Sequence, residues 1–137
     1  MRRSIALSVA LALSSCSSEN PEQWTELSAT GYYFPANVSR VEAFRVFKQL
    51  STSHGFHEAA SGKGLFDRSL HAVLHNDLGA VANILVEQNS PCIQLSIRKR
   101  SNEDDFEKAR TSALQLTADV SGTTHWAKSA GGCPYAP

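Results

Sequence analysis

The sequence lacks an excess of charge of either sign. Its 137 residues include 13 Lys and Arg against 13 Asp and Glu, so the formal net charge is zero with neutral histidines. A domain that binds nucleic acid usually carries a basic stripe or a strongly positive charge. The charge balance therefore excludes that class of function.

The sequence also lacks a hydrophobic run long enough to cross a membrane. Its most apolar stretch extends from Ile5 to Leu13, whereas a transmembrane helix needs about 20 consecutive apolar residues. Arg2 and Arg3 precede this stretch, and small residues follow it. A charged start, a short apolar core and a small-residue end are typical of a secretory signal peptide, which predicts export.

The end of this segment, Leu13-Ser14-Ser15-Cys16, resembles the lipobox of bacterial lipoproteins. The resemblance implies cleavage before Cys16 and acyl chains on that cysteine, two or three of which would hold the protein firmly on a membrane. Ser17 follows the cysteine where Asp would favour the inner membrane. In a host with two membranes, lipoproteins that lack Asp after the lipidated cysteine tend to be sorted to the outer membrane, which we therefore expect here. The alternative is an ordinary signal peptide with an incidental cysteine.

Cleavage at the lipobox would divide the chain into a signal peptide at 1–15, a lipidated tether at 16–23 and one domain at 24–137. It would remove Arg2 and Arg3, leaving 122 residues with 11 basic and 13 acidic side chains. That length suits a single domain. We therefore expect one lipid-anchored domain in the cell envelope, facing the periplasm or the exterior.

Two cysteines remain beyond the lipobox, Cys92 and Cys133. Disulfides persist in exported proteins where the compartment is oxidising. Two cysteines allow one intramolecular pairing, so we predict a Cys92–Cys133 bridge. Two buried free thiols are the alternative.

Hydrophobic spacing predicts two helices. Ser39 and Glu42 match a capping box at the start of the first helix, which we place at about Arg40–His54. We expect the second helix to begin after Ser101, a candidate cap. Its apolar residues recur at helical spacing and form a predicted buried stripe of Phe106, Ala109, Ala113, Leu116 and Val120.

Four strand-like segments lie between the predicted helices, at Phe56–Ala60, Ser69–Asn76, Ala80–Gln88 and Cys92–Arg100. The last is the plainest because apolar and polar residues alternate along it. Short turns separate the segments, which favours antiparallel pairing. The segment around Thr30–Phe34 is an ambiguous further strand, and the C-terminal residues show no periodicity.

This order of elements predicts an α+β fold. We expect a two-layer sandwich in which an antiparallel sheet of about four strands carries both helices on one face. Side chains alternate between the two faces of a strand, so parity sorts them into a core set and an opposite set. The predicted core set is Leu70, Ala72, Leu74, Ala82, Ile84, Val86, Ile93, Leu95 and Ile97.

The opposite set mixes hydrogen-bonding groups and both charges with apolar residues such as Val73 and Leu85. We interpret it as a candidate binding face, either for a partner or merely solvated. A third interpretation is that an N-terminal segment around Trp24 and Tyr32 covers it. The candidate residues are His71, His75, Asn83, Glu87, Gln94, Ser96 and Arg98.

No motif indicates a catalytic centre. The sequence has no Gly-x-Ser-x-Gly elbow and no phosphate-binding loop. On a strand, His71 and His75 would lie about 13 Å apart, too far to share one zinc ion. We therefore predict no cofactor and no metal, and we interpret the histidines as solvent-facing. The basic run Arg98-Lys99-Arg100 is interpreted as a solvated strand end, with anionic headgroups or an acidic partner as the alternative.

These observations predict a non-catalytic envelope binding module with an envelope protein as its partner. An assembly accessory and an immunity or inhibitor-like protein both fit this prediction. The alternative class is a small envelope enzyme, or a metal or ligand carrier that uses the histidines. A pocket gathering His57, His71 or His75 with a carboxylate would favour that alternative.

Overall fold

The computed structural model describes residues 23–64, 68–101 and 104–134, so the lipobox and Cys16 lie outside the described residues. The described ranges contain six strands and two helices. In chain order these are β1 (Trp24–Tyr33), α1 (Arg40–Ser53), β2 (His57–Lys63), β3 (Leu70–His75), β4 (Ala80–Val86), β5 (Cys92–Arg100), α2 (Phe106–Thr124) and β6 (Ala127–Ala130).

All six strands join one antiparallel sheet in the order β2-β3-β4-β5-β1-β6. The α+β class and the antiparallel sheet are confirmed, and the described sheet has six strands where the sequence predicted about four. The two additional strands, β1 and β6, lie side by side beyond β5.

Both additional strands are weakly marked in the sequence. A bulge between Glu26 and Ser28 reverses the alternation of β1, so no single period describes it. β6 lies in the tail that we expected to be aperiodic, and it pairs with Thr30–Tyr33 of β1. Its residues Ala127–Ala130 include no large apolar side chain, so pairing with β1 defines the strand rather than hydrophobic alternation.

The two helices begin in different ways. The hydroxyl of Ser39 accepts the backbone N–H of Glu42 at 3.1 Å, as the capping box predicts for α1. α2 begins later than expected, after Asp105 in a left-handed conformation at φ 64° with no side-chain cap. Ser101 is not its cap, because α2 begins only at Phe106. The Ser101 hydroxyl instead donates to the carbonyl of Gln23 at 3.0 Å.

Both helices pack on the same face of the sheet, α1 against β2, β3 and β4, and α2 against β1 and β5. The predicted core residues of β3, β4 and β5 all lie in this layer or against it. Tyr32 also belongs to it, with its ring edge-on to Phe47 at a centroid distance of 5.2 Å. Trp126, which no sequence pattern marked, stacks on Phe47 at 5.9 Å.

Candidate binding face

The sheet face that points away from the helices is here called the outer face. Along β5, Leu95 and Ile97 are buried, Gln94 and Ser96 are half-buried, and Arg98 is exposed, so burial follows the predicted parity. The strand register and the burial place all seven candidate residues on this side: His71, His75, Asn83, Glu87, Gln94, Ser96 and Arg98.

The register arranges the outer face in three rows that cross the strands. In the central row, Asn83 of β4 is the direct neighbour of Ser96 of β5. Both side chains are half-buried, and neither makes a hydrogen bond within the described ranges. The three rows are His71, Leu85, Gln94 and Gly31, then Val73, Asn83, Ser96 and Ala29, then His75, Val81, Arg98 and Glu26.

A C-terminal segment crosses one part of the outer face, whereas the segment around Trp24 and Tyr32 is itself a strand of the sheet. Cys133 forms a disulfide with Cys92, with Cα atoms 5.9 Å apart, which is the predicted pairing. The backbone N–H of Cys133 donates to Oε1 of Gln94 at 3.3 Å. The segment passes so close to Gly31 that a Cβ there would lie 2.8 Å from the Cys133 nitrogen. Only glycine fits beneath it.

The basic run of β5 divides between the two faces of the sheet. Arg98 and Arg100 lie over the ring of Trp24, with guanidinium carbons 4.8 Å and 5.3 Å from its centroid. Lys99 between them is only 1 % exposed and has the parity of the core residues. The three residues therefore do not form a single basic patch, and the interpretation as a solvated strand end is wrong for Lys99.

A shallow concavity of about 440 Å³ lies on the outer face. Its floor is here defined as the half-buried pair of the central row, Asn83 and Ser96. Within the described ranges Arg98 has no ion pair, although Glu26 is its direct neighbour on β1. The concavity is lined by Trp24, Glu26, Asn83, Gln94, Ser96, Ile97 and Arg98. Sequence reasoning found four of these residues but placed Trp24 only as a possible covering residue.

Within the described part of the chain, the histidines do not gather with carboxylates into a cluster of three on the outer face. His57 and His75 are direct neighbours on β2 and β3. His54 binds a carboxylate, Oδ2 of Asp119 at 2.8 Å, but this contact joins α1 to α2. Among the described residues, no group of three His, Cys, Asp or Glu side chains is placed to hold a metal ion.

No helix in the described ranges is both long enough and apolar enough to span a membrane. The chain matches no protein-family model, and no curated protein matches it significantly.

Proposed function

We propose that this protein is a lipid-anchored, non-catalytic module of the bacterial envelope that binds another envelope component through its outer face. One observation carries the proposal. Both helices cover the inner face of the sheet, whereas no helix of the described ranges packs on the outer face. There, Asn83 and Ser96 present hydrogen-bonding groups that the described chain does not use.

The lipobox supports the anchored part of the proposal. Eight residue steps separate Cys16 from Trp24, the first residue of β1. A fully extended chain covers at most about 3.6 Å per residue, so this tether reaches no farther than about 29 Å. A lipid on Cys16 would thus keep the domain, and with it the outer face, close to the membrane.

The anchor is tested by replacing Cys16 with alanine and labelling cells with a fatty-acid analogue. We expect label on the wild-type protein and none on Cys16→Ala, which should accumulate as an unprocessed or mislocalised precursor. Equal labelling of the two proteins would contradict the lipid anchor. Processing without any label would indicate an ordinary signal peptide.

The binding role is tested by photo-crosslinking in living cells. A benzophenone amino acid is placed at Ser96 or Asn83 on the outer face and, as a matched control, at the exposed Gln115 on α2. We expect defined adducts from the two outer-face positions and none from the control. Equal adducts from all three positions, or adducts from the control alone, would contradict the proposal.

A triple substitution on the outer face tests the same surface while the crosslinking amino acid stays at position 96. His71, Glu87 and Arg98 lie outside the core cluster, so changing all three to alanine should leave folding stability nearly unchanged. We expect the variant to lose the adducts formed from Ser96. The matched control changes Glu107, Arg110 and Gln115 of α2 to alanine and should retain them. A triple variant that folds normally and keeps every adduct would show that this face is not the site.

A further inference from the structure

The concavity on the outer face has one aromatic wall. Trp24 is 36 % exposed, and the guanidinium groups of Arg98 and Arg100 lie over its ring. Cation–π contacts of this kind restrain the ring as well as the guanidinium groups. The part of the restrained indole that the guanidinium groups leave exposed offers an apolar surface to a ligand that has one apolar side.

The floor of the concavity is polar but uncharged. The amide of Asn83 supplies two N–H donors and an acceptor, and the hydroxyl of Ser96 supplies one donor and acceptor lone pairs. Neither group has a hydrogen-bond partner in the described chain. A ligand rich in hydroxyl or amide groups would satisfy them at close range.

The C-terminal segment fixes the opposite wall. The N–H of Cys133 donates to Oε1 of Gln94, which leaves the NH₂ group of that amide available. Gly132 also lies against this side chain, since a Cβ there would come within 3.0 Å of Cδ of Gln94. The disulfide therefore holds a hydrogen-bond donor in place before a ligand arrives, which lowers the entropic cost of binding.

The charges of the concavity are one guanidinium and one carboxylate, on Arg98 and Glu26. Arg98 lies over the indole and has no ion pair in the described chain, so its N–H groups can bind a ligand carboxylate in a bidentate way. Glu26 would repel every anion, and it would repel a multiply charged phosphate more strongly than a ligand with a single carboxylate. It would also accept hydrogen bonds from hydroxyl groups beside the ligand's single charge.

These features together specify a ligand with an apolar side, several hydroxyl or amide groups and one carboxylate. We propose that the concavity binds a saccharide that bears a carboxylate. Its volume of about 440 Å³ lies within the range of about 300–1,000 Å³ that is usual for ligand sites. This inference rests on the proposed function and names the class of component that the outer face binds. A cell-wall glycan and an acidic surface polysaccharide are the two sources of this chemistry.

Calorimetry on the full mature protein in detergent micelles tests the proposal with three probes. The disaccharide of N-acetylglucosamine and N-acetylmuramic acid represents the cell wall. A disaccharide of glucuronic acid and N-acetylglucosamine represents an acidic polysaccharide, and diacetylchitobiose lacks a carboxylate. We expect at least one acidic disaccharide to bind about tenfold more tightly than diacetylchitobiose, as a charge-assisted hydrogen bond predicts. The tighter of the two acidic probes identifies the source.

Variants locate the site. Arg98→Gln should abolish the preference for the acidic probe, and Trp24→Ala should weaken every probe that binds. Asn83→Asp adds a carboxylate to the floor with little change in size, so it should weaken the acidic probe even if Trp24→Ala folds poorly. Arg110→Gln on the exposed surface of α2 is the matched control and should bind as the wild type does.

Three results would overturn the proposal. They are absence of binding by all three probes, equal binding of diacetylchitobiose and the acidic probes, and unchanged binding by Arg98→Gln and Asn83→Asp. If no probe binds while Ser96 still crosslinks to a protein, the saccharide site is wrong but the binding role of the outer face stands. If the acidic probe binds and no fatty-acid label reaches Cys16, the saccharide site is supported and the lipid anchor is contradicted.

Discussion

The two faces of one sheet in this protein are built from neighbouring residues and yet differ in composition and in burial. Leu95 is 1 % exposed beneath the helices, whereas Ser96, the next residue, is half-buried on the outer face. The inner face is almost entirely apolar and is covered, while the outer face mixes charges, amides and hydroxyls. Because side chains alternate along a strand, one segment can stabilise the fold with one parity and present a binding surface with the other.

Each face also holds residues that depart from this contrast. Lys99 is only 1 % exposed despite its charge and has core parity. Val81 is 5 % exposed although it lies on the outer face, in the row between His75 and Arg98. Burial alone would have assigned Val81 to the core. The strand register therefore defines the two faces more reliably than the exposure of any one residue.

The largest difference between the faces should appear in a pair of substitutions on β5. Leu95→Ala removes a buried side chain at the centre of the sheet and should cost about 2–5 kcal/mol of unfolding free energy. Ser96→Ala removes a hydroxyl that has no partner in the described chain, so it should change stability by less than about 0.5 kcal/mol. Urea unfolding measures both.

The same two positions test whether partner binding depends on the outer-face residues of β5 and not on its core residues. Ser96→Ala should weaken capture of the partner, whereas a folded Leu95→Val protein should retain it. If Ser96→Ala is as unstable as Leu95→Ala, the outer face contributes to stability as the core does, which would contradict the difference between the two faces.

Removal of the disulfide should have the next largest effect on stability, because this bond holds the C-terminal segment against the outer face. Cys92 and Cys133 are 41 residues apart. Chain-entropy arguments give a loop of that length about 4 kcal/mol of stabilisation, and measured values are often lower. The Cys92→Ala, Cys133→Ala double variant should therefore unfold at lower urea concentration than the oxidised protein, with the inner face still packed.

Mass spectrometry of exported protein under non-reducing conditions checks that the bridge forms. Two free thiols would contradict it. Equal stability of the double variant and the oxidised protein would show that the C-terminal segment contributes nothing to the outer face.

Most residues of the inner face could be predicted from the sequence, whereas several residues of the concavity on the outer face could not. Along β5 the alternation of Ile93, Leu95 and Ile97 with polar residues was enough to separate the faces. Trp24 was missed as a site residue because the bulge after Glu26 hides the period of β1. Parity could identify Asn83 and Ser96 as outer residues, but only the register shows that they are direct neighbours.

The C-terminal segment shows a second limit of sequence reasoning. The cysteine count predicted the pairing of Cys92 with Cys133, but it could not show which face the segment crosses. Gly31 gave no signal by itself, since a glycine within a strand also fits a bulge or a bend. Its role depends on a contact with Gly132 and Cys133, about 100 residues away in the chain.

Two glycine substitutions, one under the C-terminal segment and one in α2, should change the unfolding free energy by intermediate amounts. A Cβ at Gly31 would come within 2.9 Å of the Cys92 sulfur and of the Gly132 carbonyl carbon. Gly31→Ala should therefore displace the C-terminal segment and cost about 1–3 kcal/mol, the usual effect of overpacking. A Cβ at Gly122 in α2 would meet no neighbouring atom within 4 Å, so Gly122→Ala should stabilise the protein by about 0.5–1 kcal/mol.

Thermal unfolding ranks the two glycine variants against the wild type. Amide hydrogen exchange at Gln94 and Cys133 should rise in Gly31→Ala and stay unchanged in Gly122→Ala. If Gly31→Ala is as stable as the wild type and shows no change in exchange, the segment does not cross the outer face as closely as the structure indicates.

The smallest effect should come from β2, where the contrast between the faces disappears because all seven residues are exposed. Glu58 on this strand binds Lys48 of α1, with Nζ and Oε2 2.7 Å apart, and accepts the hydroxyl of Ser61. The hydrogen bond from Lys48, followed by that from Ser61, lowers the pKa of Glu58 below its ordinary value of 4.5. A lowered folded-state pKa stabilises the protein above the ordinary value, and this contribution is lost as pH falls through the folded-state pKa.

Glu58→Gln should accordingly lower stability slightly at neutral pH, and the difference from the wild type should vanish in acid. High salt should reduce it further, because exposed ion pairs are screened. An NMR titration of the Glu58 carboxyl measures the pKa directly, and Lys48→Gln should raise it towards 4.5. A pKa that is unchanged by Lys48→Gln would show that the ion pair does not tie α1 to the edge strand. In that case β2 depends on its hydrogen bonds to β3 and on Phe56, which is fully buried just before it.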